Sequence, residues 1–238
     1  MRRLLFLFAA LMLISAQANA FFIIDFNEKW LREDAYNRAM SQAKKDMQRG
    51  GSSAAKSSAK GGKTDPLWTG PQMLIQGSFF DDEGIDDVVE RFPYEQRKDM
   101  RKALTQIIAS FNDSVEKLYG VPKENVATGM VALLAGGYAA YYNKPFPDKY
   151  VKSTVEQVGT YLRSKPELFE GKTTEKRRNY QKSVGVGMLL QLLQQEVQKS
   201  AKASDAAQLK QAGAQVIRAV LNVEPDQVEF TSSGLKFR

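Results

Sequence analysis

A chain of 238 residues with no Cys, no His and 34 basic against 27 acidic side chains leaves out much familiar chemistry. It has no material for a Ser-His-Asp triad, a Cys nucleophile, a disulfide or a zinc site of the usual nitrogen and sulfur kind. With 43% apolar and 26% charged residues it is otherwise composed like an ordinary globular chain able to bury a core.

Residues 1–20 follow the three-part pattern of a secretory signal peptide. Arg2 and Arg3 come first, then an apolar run from Leu4 to Ile14, then Ala18-Asn19-Ala20 with small residues at both recognition positions. Cleavage is expected after Ala20. A membrane anchor is the alternative, but such a run spans only about 16 Å as a helix, against a hydrocarbon core of roughly 30 Å. The expected destination is the periplasm or the medium of a bacterial cell. Without the signal, 32 basic and 27 acidic residues remain, and nine of the former and five of the latter lie between Phe21 and Thr64. The positive charge therefore belongs to an arm, and this argues against nucleic acid as a partner.

Residues 21–49 read as a basic helical arm, opened by Phe21-Phe22-Ile23-Ile24 and capped at Asn27. Residues 50–64 are a Gly, Ser, Ala and Lys linker, a composition that cannot bury apolar area. A globular domain is expected over 65–238, beginning with an extended lead-in around Trp68.

From Asp81 the pattern turns helical. Phe92-Pro93 sets a start, and Met100, Leu104, Ile107, Ile108, Phe111, Val115 and Leu118 recur at steps of three and four up to Gly120. Asn125 to Asn143 carries no charge at all, so a helix from about Glu124 to Tyr142 must be surrounded by other helices or by lipid. Its many Gly and Ala residues, and the amphipathic neighbours able to cover it, favour a buried helix over a membrane span. Pro145 and Pro147 then precede a helix bearing Tyr150, Val151, Val155, Val158, Tyr161 and Leu162, which Pro166 ends. A long helix is expected from Thr174 to Lys202, and another, capped by Ser204 and Asp205, to Leu221. The tail from Gln227 to Phe237 alternates about a Ser-Ser-Gly turn and predicts a small hairpin. The fold class is all-α: a bundle of about five helices around a central apolar one, with a C-terminal β-hairpin.

The long amphipathic helix, the turn Leu118-Tyr119-Gly120-Val121-Pro122, the uncharged helix ending in aromatics, Tyr180-Gln181, Met188-Leu189-Leu190 and Phe230-Thr231-Ser232-Ser233-Gly234-Leu235 occur in that order. This succession, from Pro93 to the C-terminus, resembles a group of uncharacterised secreted bacterial all-α proteins of unknown function. The resemblance implies an exported helical domain and no particular activity.

Four Ser-x-x-Lys spacings occur: Ser41/Lys44, Ser53/Lys56, Ser57/Lys60 and Ser114/Lys117. In acyl-transfer enzymes this spacing sets an amine against a hydroxyl on one helix face, but the companion elements are absent and two matches fall in the linker. Asp81, Asp82, Glu83, Asp86, Asp87 and Glu90 form an acidic run that suits a helix N-terminus better than a calcium loop. Lys176, Arg177, Arg178 and Lys182 oppose the dipole of their own helix, which makes them candidates to face an anion. Tyr138, Tyr141, Tyr142 and Phe146 read as core. The sequence thus favours an exported, non-enzymatic protein that binds another macromolecule, either a protein or an anionic envelope component. The candidate residues are Lys29, Arg32, Arg38, Lys44 and Lys45 of the arm, with peripheral membrane contact through it, and Lys176, Arg177, Arg178 and Lys182. No catalytic residue, cofactor, metal or transmembrane helix of the mature chain is expected. The competing reading is an envelope hydrolase using carboxylates or a Ser-Lys pair.

Overall fold

The computed structural model describes residues 82–164, 173–200 and 203–238. The expected signal, arm, linker and lead-in, with Lys29, Arg32, Arg38, Lys44 and Lys45, lie outside them, as does Pro166. The described residues form six α-helices: α1 (Glu83–Val89), α2 (Tyr94–Tyr119), α3 (Val126–Tyr142), α4 (Asp148–Ser164), α5 (Thr173–Ser200) and α6 (Ala203–Leu221). A 3-10 turn at Pro225–Gln227 leads into β1 (Val228–Thr231) and β2 (Gly234–Phe237).

The helix ends follow local chemistry. Pro93 stands before α2, and Gly120 closes it in the left-handed conformation, φ 63°, with its N–H on Glu116 O at 3.0 Å. Asn125 caps α3, its side-chain oxygen accepting from Ala127 N at 2.9 Å and Thr128 N at 3.3 Å. Two boundaries differ from expectation. Helix α3 starts at Val126, not Glu124, because Glu124 has a positive φ of 49°. Helix α6 starts at Ala203, so Ser204 and Asp205 sit inside its first turn rather than before it.

Helix α3 is the central member, buried from Val126 to Ala140 and lying chiefly against α5 and α6. Its small residues set the distances. A methyl group added at Gly136 would fall 2.6 Å from Gly187 Cα of α5, and one added at Gly213 of α6 would fall 2.5 Å from Gly137 O. Backbone therefore meets backbone at both crossings, and only Gly fits there. Among the described residues no helix is long and apolar enough to cross a membrane.

The aromatic end of α3 closes the core with Tyr138 and Phe146, as expected, whereas Tyr141 and Tyr142 are half-exposed. Tyr138 packs edge-on against Phe146 and Phe230, each at 5.3 Å between ring centroids, and Phe146 meets Phe230 at 5.0 Å. Phe230 comes from the hairpin, whose antiparallel register pairs Val228 with Phe237 and Thr231 with Gly234. The hairpin rests on α4. There the Gln157 amide donates to Leu235 O at 3.0 Å and accepts from Leu235 N at 2.5 Å.

The apolar stripe of α2 departs from expectation at one end. Met100, Leu104, Ile108 and Val115 are buried, whereas Leu118 is 67% exposed. Its spacing fits the buried face, yet its side chain lies largely in solvent.

Candidate binding site

The two charge clusters prominent in the sequence face each other. Helix α1 lies across the start of α5, and Asp87 receives Arg178 through Nε at 2.5 Å and Nη2 at 2.6 Å. Lys182 Nζ stands 3.2 Å from the same carboxylate, on a side chain only 3% exposed. Burial on its own pushes the Asp87 carboxyl up, but the Arg178 hydrogen bonds and the Lys182 and Arg178 charges outweigh it and hold it below its ordinary value. Nearby, Asp86 pairs with Arg101 of α2. Arg97 donates to Glu90 O at 2.8 Å and Phe92 O at 2.9 Å, which satisfies carbonyls at the end of α1. The buried Gln181 amide accepts from Gly84 N at 3.1 Å, at the N-terminus of α1, and reaches Asp82 Oδ1 at 3.4 Å.

The basic cluster is thus divided between two surroundings. Arg178 and Lys182 do face an anion, but it is Asp87 of the same chain, and Lys182 is buried. Lys176 and Arg177 remain half-exposed on the first turns of α5. Asp86 and Asp87 of the acidic run in turn have basic partners, and among the described residues no group of three carboxylates is placed to hold a metal.

Tyr180 is a second fastening that its sequence position does not reveal. Its ring lies against Gly129, its hydroxyl donates to Asn112 Oδ1 at 2.5 Å, and it accepts from Glu124 N at 3.1 Å. Burial, the largest influence, pushes its phenol well above the ordinary range. Tyr180 thus ties α5 to α2 and to the loop before α3. At the far end of α5, Gln194 and Gln198 reach Asn143, the left-handed residue closing α3, at 3.4 and 2.8 Å.

Between the last turns of α2, the first half of α3, α4 and the middle of α5 lies a cavity of about 140 Å³ that opens partly to solvent. Phe111, Val115, Val131, Val151, Val155 and Met188 give it an apolar lining. Leu118, Tyr119, Asp148, Gln191 and Ser114 add an exposed Leu and several polar groups. Tyr119 Oη donates to Asp148 Oδ1 at 3.2 Å; burial first, and then the Asp148 charge, push this phenol up. Ser114 Oγ donates to Ser110 O at 2.7 Å, back-bonding along its own helix, and Lys117 is not among the lining residues. The spacing Ser114/Lys117 therefore does not bring an amine into the cavity. Asp148 is the one carboxylate lining it, so the cavity does not bring two carboxylates together.

Fold and site together define a helical-bundle protein with a hairpin seal and a partly open apolar cavity between four of its helices. The chain belongs to a family of unknown function, DUF6683, which matches residues 1–238. No curated protein and no solved structure matches it.

Proposed function

We propose that the chain is an exported bacterial envelope or secreted protein, periplasmic or released, that acts by binding another macromolecule and not by catalysis. The contact is carried by the basic arm, with Lys29, Arg32, Arg38, Lys44 and Lys45 turned toward an anionic envelope component or a protein. One observation carries this reading: the helical domain neutralises much of its clustered charge internally. Asp87 takes up Arg178 and Lys182, and Asp86 takes up Arg101. The excess of nine basic over five acidic residues between Phe21 and Thr64 is then the main imbalance of the mature chain. Lys176 and Arg177 add a smaller patch. Such an arm suits an anionic surface, where each basic residue contributes about 1 kcal/mol near the membrane.

Two measurements test it. Intact mass of the protein from envelope and medium fractions should place the N-terminus at Phe21; a retained Met1 ends the export reading. Retention on anionic vesicles and native envelope should fall when the five arm residues are changed to Gln, and should fall with added salt. Equal retention for both proteins at low and high salt removes the arm from the contact.

A further inference from the structure

We propose that the cavity between α2, α3, α4 and α5 is an anchorage within the chain, and that its occupant is the side chain of Trp68, from the lead-in that precedes α1. The inference goes beyond the macromolecule-binding reading and stands without it.

The apolar surfaces on the two sides match. The lead-in carries no charge from Pro66 to Phe80, yet it holds Leu67, Trp68, Met73, Leu74 and Ile75. Unlike the Gly, Ser and Lys linker before it, a run of this composition gains by burying its side chains. On the bundle, Phe111, Val151 and Met188 line the cavity and remain half-buried, so an apolar side chain entering there covers surface that the helices leave open.

The chain is long enough. Asp82, where the lead-in ends, lies at α5, its Oδ1 3.4 Å from the Gln181 amide. Met188 is seven residues further along that helix, about 10 Å, and passing one helix on the way adds about 10 Å more. The residues between Trp68 and Asp82 cover about 20 Å even as a random coil.

Size and lining single out one side chain. A cavity of about 140 Å³ compares with the cavity of about 150 Å³ that accepts benzene in another protein. It therefore holds one ring or branched side chain and not a stretch of peptide. Asp148 adds an exposed carboxylate to the lining, engaged by Tyr119 Oη at 3.2 Å and able to accept further hydrogen bonds. Among the apolar side chains of the lead-in, Trp68 alone joins an aromatic body to a donor, so its ring suits the apolar wall and its indole N–H the wet carboxylate.

The test uses the full chain carrying Trp30→Phe, which leaves Trp68 as the only Trp. Its emission should be shifted to the blue, and acrylamide should quench it far less than in the urea-unfolded chain. Val151→Phe, which fills the cavity from α4, should return both readings to those of a solvated Trp while melting stays cooperative. Independently, Trp68→benzoylphenylalanine should photocrosslink within one chain to peptides bearing Phe111, Val151 or Met188, with a yield that does not depend on protein concentration. Solvated emission from Trp68 in the parent overturns the proposal, as does a shielded Trp68 that Val151→Phe leaves unmoved. Should Val151→Phe fail to fold, the crosslinks decide: those that fall on other faces of the bundle, or that join two copies, overturn it equally.

Discussion

Helix α5 is fastened to its neighbours by two opposite kinds of contact. In its middle, Gly187 meets Gly136 of α3 with no side chain between the backbones, so the contact rests on shape and tolerates no added atom. At its start, Arg178 and Lys182 converge on Asp87 of α1, so the contact rests on charge and depends on every partner being present. The first kind gains from dispersion and from close packing of apolar surface. The second offsets desolvation with ion pairing and contributes less net stability than its geometry suggests, yet losing one partner is costly. Packing therefore sets where α5 lies, while the charged seam sets what may lie across its end.

The largest effect is expected at the glycine crossing. Gly136→Leu goes well beyond the usual overpacking cost of about 1–3 kcal/mol, because a methyl group alone already lies 2.6 Å from Gly187 Cα. Calorimetry of the protein should find the transition abolished, or lowered by more than about 10 °C. Unchanged melting would mean that α3 does not lie on α5.

The seam should respond less and in a different manner. Asp87→Asn leaves the Lys182 ammonium buried without its carboxylate. The penalty of about 3–5 kcal/mol for such a broken pair is discounted here to about 2 kcal/mol, since the Asp87 and Arg178 side chains are partly exposed. Adding Lys182→Met should recover part of the loss, a non-additivity that a double-mutant cycle detects and the glycine crossing has no way to produce. Acid sharpens the contrast. The Asp87 carboxyl is held below its ordinary value, so its contribution is present above about pH 3.9 and is lost as pH falls through the folded value. Amide protection factors in α1, taken relative to the intrinsic exchange rate at each pH, should therefore fall in acid for the parent, with a shallower slope in Asp87→Asn.

Tyr180→Phe isolates the polar half of a contact that is both packed and hydrogen-bonded. It keeps the ring against Gly129 but leaves Asn112 Oδ1 and Glu124 N without their hydroxyl partner, a loss of about 1–2 kcal/mol by chemical denaturation. The raised phenol adds an alkaline signature. Its contribution is complete below about pH 10, the ordinary tyrosine value, and is lost as pH rises through the folded value. Tyr180→Phe should remove that part of the alkaline loss. The smallest effect belongs to Leu118→Ser, which should move stability by no more than about 0.5 kcal/mol, because this exposed side chain contributes to neither kind of contact.

The glycine crossing was legible before any coordinates. An uncharged run holding Gly129, Ala132, Gly136 and Ala140 favours a covered helix with close neighbours over a membrane span, and Pro93, Gly120 and the Ser-Ser-Gly turn mark element ends through backbone chemistry that needs no partner. The seam was legible only as two halves. Periodicity assigns residues to faces but does not say which faces meet, and Asp87 and Arg178 lie 91 positions apart. Leu118 is the same limit in reverse, a residue with core spacing and no neighbour to cover it. The cavity lay further still from the sequence, since it is the space that four helices leave between them.

Gln157 carries a consequence for how copies of this chain meet. A two-stranded sheet ends in two rows of backbone donors and acceptors, each a template for a strand from another molecule. By grasping both the N–H and the C=O of Leu235, the α4 amide takes the place such a strand would occupy, so the outer side of β2 is already paired within its own chain. The hairpin can thus seal the aromatic end of α3 with four-residue strands, and even at high concentration it has little opportunity to recruit neighbours into a growing sheet.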